Sequence, residues 1–219
     1  MTVPDAAAVA AAHRRVIERI AAAGGGPDVV VVAVTKGFGP EVAAVALEAG
    51  FVALGENYAQ ELLHKVEALP ASARPEWHFL GRLQTNKVRH LAPHVGLWQS
   101  VDRVELVREI AKRAPGAAVL VQLNLSGEEQ KGGCAVADTP RLVGVARDEG
   151  LDVRGLMGVG PAGDAALARP GFERLVALAD SLDLPVRSIG MSADLEVAVR
   201  AGSTMVRIGT DLFGPRPPR

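Results

Sequence analysis

The run Val29-Val30-Val31-Val32-Ala33-Val34-Thr35-Lys36 is apolar, largely β-branched and uncharged until its final lysine. Such a run reads as a strand buried on both faces, as in a parallel sheet covered by helices. Lys36 then stands at the carboxyl end of the strand, where parallel α/β folds bind their ligands. Partial desolvation there lowers the pKa of an amine and frees its lone pair for Schiff-base chemistry. Lys36 can equally cap the strand and point into solvent. The run by itself leaves both readings open.

The rest of the chain repeats the strand-then-helix pattern. Residues 5–23 carry Val9, Val16, Ile17 and Ile20 at helical spacing, and Gly24-Gly25-Gly26-Pro27 ends that helix. The first strand follows, then the turn Gly37-Phe38-Gly39-Pro40, with Pro40 suited to opening a helix that runs through Ala49. Further strands are predicted at 51–57, 76–81, 96–101, 117–125, 151–159, 185–191 and 203–209. The helices between them are predicted to run to about Ala68, then over 85–91, 103–113, from 139–140, over 171–182 and over 194–201. The tail Pro215-Arg216-Pro217-Pro218-Arg219 has no regular period and is expected to fray.

Eight strands alternating with helices predict a single (β/α)8 TIM barrel over residues 1–219, with an extra N-terminal helix. A doubly wound open sheet is the alternative. The count of eight, and the lack of a Gly-rich dinucleotide turn after the first strand, favour the barrel.

Composition narrows the function classes. The net charge of −1 gives no basic surplus for nucleic acid, and there is no polybasic cluster for a membrane surface. No apolar run is long enough to span a bilayer, and the start lacks a signal-peptide profile. The single cysteine, Cys134, forbids an internal disulfide and suits a reducing, cytoplasmic setting. Cys134 has no motif beside it and reads as inert. His64 and His78 have no partner at metal-ligand spacing, so no metal is expected. Lys131, between Gln130 and Gly132-Gly133, reads as a solvated loop lysine, with a transient contact to an aldehyde as the sharper alternative; Glu128 and Glu129 read as solvated.

Strand parity indicates what faces the lumen. If Lys36 points inward, so do Val34 and Val32. Asn57 shares a face with Gly55 and Ala53; Gln122 with Asn124; Ser188 with Gly190 and Ser192; Arg207 with Met205 and Gly209. Glu56 falls on the outer face. A buried arginine needs a partner. Either an internal carboxylate or a bound ligand can supply it. Gly209-Thr210-Asp211 offers backbone amides and a hydroxyl where this fold commonly holds phosphate, and Ser192 precedes a helix start beside it. An ordinary helix cap is the other reading of Ser192. A strand-end lysine, an inward arginine, an asparagine and an oxyanion cradle together describe a phosphorylated aldehyde held as an imine, which pyridoxal phosphate is. A Schiff-base aldolase acting on a sugar phosphate uses similar parts and ranks second.

The chain also resembles the pyridoxal phosphate homeostasis proteins, the YggS/PROSC group. The match is carried by Ala33-Val34-Thr35-Lys36, Gly55-Glu56-Asn57-Tyr58, the stretch from His78 to Lys87 (HFLGRLQTNK), Gly155-Leu156-Met157, Gly190-Met191-Ser192-Ala193-Asp194 and the stretch from Gly202 to Thr210 (GSTMVRIGT). The resemblance implies a barrel like the N-terminal domain of alanine racemase. It implies that Lys36 holds pyridoxal phosphate as a Schiff base, that Arg207 stands near the pyridine nitrogen, that Asn57 lines the cofactor, and that Ser192, Gly209, Thr210 and Ser188 cradle its phosphate. Thr35 stands where serine is common in the group, and Phe38 where many members carry a second lysine.

An arginine beside the ring nitrogen disfavours its protonation and so weakens the ring as an electron sink. Racemisation also needs a second acid–base group on the opposite face, and Tyr58 is the sole tyrosine. The expectation is therefore a cytoplasmic carrier, a monomer or weak dimer, that holds pyridoxal phosphate and passes it to client enzymes dependent on it. A low-activity amino-acid racemase is the alternative.

Overall fold

In a computed structural model, described for residues 4–125, 132–161, 163 and 165–216, eight strands close into a parallel barrel in chain order. The strands are β1 (Val30–Val34), β2 (Ala53–Glu56), β3 (Glu76–Phe79), β4 (Val95–Val101), β5 (Ala118–Leu123), β6 (Asp152–Gly158), β7 (Val186–Ser188) and β8 (Met205–Ile208). The helices are α1 (Ala6–Ala22), α2 (Pro40–Glu48), α3 (Ala59–Ala68), α4 (Thr85–Leu91), α5 (Val104–Arg113), α6 (Thr139–Asp148), α7 (Arg169–Ser181), α8 (Leu195–Ala201) and the single turn α9 (Thr210–Phe213). The (β/α)8 expectation holds, as does the extra N-terminal helix. Lys131, Glu128 and Glu129 lie outside the described residues, as does the end of the tail after Arg216.

The strands are shorter than their apolar runs. The first ends at Val34, so Lys36 lies in the turn beyond it. β7 ends at Ser188, three residues before the apolar run does, because Gly190 turns the chain with φ +101°. β1 pairs with β8 from Val30↔Met205 to Ala33↔Ile208, and this ladder closes the barrel.

Two apolar layers result. The outer one lies between sheet and helices and takes Ala33, Leu54, Trp77, Phe79, Trp98, Val119, Val121, Val206 and Ile208. The inner one fills the lower lumen with Val32, Ala53, Leu97, Ala118, Leu120, Met157 and Met205. The lumen is thus a packed floor, not a pore. Strand parity also holds, since Val32 and Met205 face in while Ala33 and Val206 face out.

α1 begins where the Asp5 carboxylate accepts the Ala8 N–H at 2.7 Å, an N-cap bond. It buries Val9, Ala12, Val16 and Ile20, one stripe at helical spacing, and packs against α2, α8 and α9. Among the described residues no helix is long and apolar enough to cross a membrane.

The ends of β2 and β3 mesh closely. A Cβ added at Gly81 would lie 2.0 Å from the carbonyl oxygen of Asn57. Two backbones pass there with no room for a side chain. Gly81→Ala should therefore destabilise the protein by about 1–3 kcal/mol, an overpacking cost read from the urea unfolding midpoint.

Candidate functional site

At the carboxyl ends of the strands, a cavity of about 330 Å³ opens above the apolar floor. Its walls include Lys36, Asn57, Ser192, Arg207, Gly209 and Thr210, which come from the ends of four different strands. Six of the seven site residues read from the sequence therefore meet in one place.

Ser188 is the exception. It does not line the cavity; it is fully buried beneath it, with its hydroxyl already engaged. Arg207 Nη1 donates to Ser188 Oγ at 2.7 Å and to Ser188 O at 2.6 Å, and Nη2 donates to Gly158 O at 2.8 Å. A guanidinium can only donate, so Ser188 Oγ accepts from it and passes its own proton on, to Gln99 Oε1 at 2.7 Å. That orients the Gln99 amide, whose Nε2 meets His78 Nδ1 at 2.8 Å. His78 Nδ1 must then accept, which puts the ring proton on Nε2, 3.5 Å from Glu76 Oε1. Ser188 belongs to this polar layer, which holds Arg207 from below.

Among the described residues no carboxylate bonds Arg207 directly. Its bonds are to carbonyls and a hydroxyl, and the carboxylate that acts on it, Asp194, does so at longer range. Burial pushes the guanidinium down to about 10, so at neutral pH it still carries its charge into the cavity wall.

Lys36 is half-buried, and its amine is held below the usual lysine range. Burial is the main cause, followed by the positive charges of Arg216 and Arg207; Glu56 and Glu61 oppose it. The turn that carries Lys36 is fixed from outside the barrel. Lys65 on α3 is buried and donates to Thr35 O at 2.8 Å. It also forms a salt bridge with Glu56, which is buried on the outer face of β2 as parity indicated. Glu56 accepts the Thr35 hydroxyl at 2.8 Å and the Asn57 N–H at 3.2 Å. Glu61 accepts the Gly37 N–H at 2.7 Å. The peptides on both sides of Lys36, and the one leading into Asn57, are thus clamped by three side chains. Burial raises the Glu56 carboxyl, and Lys65 and Thr35 pull it back.

Arg216 was expected in a frayed tail and instead lines the cavity. It reaches back over Gly37, where an added Cβ would lie 3.1 Å from its Cδ, and Gly37 has φ +78°. The tail's lack of periodicity marked an absence of regular structure, not an absence of contacts.

The loops after β7 and β8 are tied by α1. Arg19 donates to Glu196 at 2.6 and 3.0 Å, to Asp211, and to Ser192 O at 3.1 Å. Ser192 is no helix cap: Asp194 stands at the start of α8, and Ser192 Oγ accepts the Asp211 N–H at 3.3 Å. No sequence pattern linked Arg19 to residues more than 170 positions away.

Other candidates fall elsewhere. Tyr58 stands at the start of α3 and lines a neighbouring recess, not the Lys36 cavity. Phe38 packs edge-on against Phe213, with ring centroids 5.9 Å apart. Burial pushes the Cys134 thiol up, the wrong direction for a nucleophile.

The fold and site together define a barrel of the alanine racemase type, and the family "Alanine racemase, N-terminal domain" matches residues 9–217. Within that class the chain belongs to the pyridoxal phosphate homeostasis proteins. It is 39% identical over 217 residues to the pyridoxal phosphate homeostasis protein of Pseudomonas aeruginosa, covering 95% of this chain and 94% of that one. PipY of Synechococcus elongatus, solved with pyridoxal phosphate bound, is similar at 30% identity and a TM-score of 0.76, over 91% of this chain and 100% of PipY. Alanine racemase of Clostridium difficile shares the fold alone, at 15% identity and a TM-score of 0.73, over 94% of this chain and 57% of the racemase.

The clamp gives a direct test. Lys65→Met leaves the Glu56 carboxylate buried without its countercharge and should cost roughly 3–5 kcal/mol in urea unfolding. Adding Glu56→Leu in the same chain should recover part of that loss, because no unpaired charge then remains.

Proposed function

We propose that this protein binds pyridoxal 5′-phosphate reversibly, with its aldehyde held as a Schiff base on Lys36, and serves pyridoxal phosphate homeostasis as a carrier. The observation that carries the reading is a primary amine with a depressed pKa in the wall of a 330 Å³ cavity, opposite loops that offer hydroxyls and backbone amides to an oxyanion. Relatives that bear the homeostasis name, and PipY with pyridoxal phosphate bound, support it.

The donor set fits the group. Lys36 would hold the aldehyde carbon as an imine with loss of water, and hydrolysis or exchange with an incoming amine would free it. Ser192, Gly209 and Thr210 would receive the phosphate, and Arg19 keeps their two loops at a fixed spacing. The Oδ1 atom of Asn57 is buried at the cavity wall and accepts no hydrogen bond among the described residues, so it could accept one from a ligand donor. When bound, the cofactor supplies an aldehyde and an electron-withdrawing ring.

Arg207 argues for a carrier over a racemase. With the ring nitrogen toward Arg207, as the resemblance implies, the charged guanidinium would keep that nitrogen unprotonated and would leave a poor sink for a carbanion. Tyr58, the sole tyrosine, lies in the neighbouring recess. Handing the cofactor on to client enzymes, working as a monomer or weak dimer and residing in the cytoplasm complete the proposal.

The purified protein should be yellow after addition of pyridoxal phosphate. Borohydride should bleach it and leave a pyridoxyl mass on the peptide containing Lys36. Lys36→Ala should lose both signals. A colourless protein that gains no mass would overturn the reading, and sugar phosphates would then be tried as aldolase substrates. Formation of racemic alanine or serine, lost in Lys36→Ala, would favour a racemase.

The charge environment of Lys36 predicts a pH effect. Arg216 lowers the amine's pKa, so Arg216→Ala should raise it. A larger share of the amine is then protonated at any pH below that value, so the midpoint for pyridoxal phosphate capture should move to higher pH. Stopped-flow absorbance across a pH series reads this, and an unmoved midpoint would count against the electrostatic account.

A further inference from the structure

Beside the Lys36 cavity lies a larger recess of about 520 Å³, which shares Asn57 with it. Arg82, Lys87 and Arg103 line this recess, together with Gln60 and Gln84, and among the described residues no carboxylate lines it. The two cavities stand on adjacent strand ends, but their chemistry differs. Lys36 and the loops after β7 and β8 take no part in the recess.

The charge count is specific. Arg103 is already neutralised: Nη1 bonds Asp102 at 2.6 Å, and Nη2 donates to Leu83 O at 2.7 Å. Arg103 is thereby held in one orientation. Arg82 and Lys87 make no salt bridge among the described residues, so the recess carries two uncompensated positive charges. Two cations that line one recess without a paired carboxylate make it positive, and a dianion held there would be attracted by both. α3, ten residues long, begins at the recess wall with no side-chain cap, which adds amide donors of the same sign. The floor is apolar, made by the buried rings and methyls of Phe79 and Leu83, so the recess also suits a compact organic body.

We infer that this recess is a second ligand site, which takes a small phosphate monoester independently of the imine at Lys36. A phosphate monoester carries close to two negative charges at neutral pH, matching the two free cations, whereas a single carboxylate would leave one unmet. The uncompensated pair Arg82 and Lys87 sets the affinity, and the paired Arg103 gives a fixed donor at the wall.

The inference is tested with the Lys36 cavity closed. The protein is loaded with pyridoxal phosphate and reduced with borohydride, and the adduct is checked by mass. It is then titrated calorimetrically with pyridoxine 5′-phosphate, a monoester without an aldehyde, and with inorganic phosphate and succinate. One equivalent of pyridoxine 5′-phosphate should bind, more tightly than succinate, and less tightly as salt rises. Arg82→Gln and Lys87→Gln, both outside the cofactor cavity, should each weaken it roughly tenfold while leaving adduct formation at Lys36 unchanged. No binding to the reduced protein, binding by both variants as tight as by the parent protein, or a preference for succinate would overturn it. Absence of the adduct would instead count against the Lys36 reading. The recess would then be read from the response of inorganic phosphate binding by the untreated chain to the same two substitutions.

Discussion

A full positive charge buried at the heart of the barrel organises this molecule. Among the described residues no carboxylate bonds Arg207, and its cost of burial is offset by three hydrogen bonds to two carbonyls and a hydroxyl. Those acceptors are themselves placed by a relay through Ser188, Gln99 and His78 that crosses the lumen from β8 to β3. Because the partners are neutral, the positive potential is not cancelled locally and extends up into the cavity. The apolar side chains of the lower lumen seal this layer from beneath. Burial first, then the charges of Arg216 and of this same arginine, depress the Lys36 amine, so the buried charge also contributes to the reactivity at the cavity rim.

Around that charge, the site is held largely by groups that never touch its contents. The clamp of Glu56, Lys65 and Glu61 fixes the peptides next to Lys36 from the helix side of the sheet. Arg19, from a helix that precedes the barrel, joins the loops that follow its last two strands. The first and last segments of the chain therefore meet at the cavity. The N-terminal helix works as a strut for those loops, in addition to packing its apolar stripe against α2, α8 and α9.

Much of this was legible in the residues. Eight apolar runs separated by helical spacing give the barrel, and strand parity puts Lys36, Asn57 and Arg207 on one side and Glu56 on the other. Parity failed for Ser188 in a specific way: it gives the face but not the height. Ser188 points inward as expected, yet it sits one layer below the cavity, where Arg207 and Gln99 use up its hydroxyl. The Arg19 and Arg216 contacts were illegible because they are set by how chain termini pack, which no local period encodes. Gln99 and His78 could have been found by applying the same parity to β3 and β4.

The clamp has one further consequence, for chemical selectivity. Two primary amines lie in this corner of the barrel, on Lys36 and Lys65. Lys65 is buried and its nitrogen is committed to Thr35 O and Glu56, so it is closed to electrophiles despite its closeness to the cavity. Lys36 is left as the amine that an aldehyde entering the cavity can reach. The salt bridge thus acts as a protecting group that keeps Lys65 from being a second open amine beside the cavity.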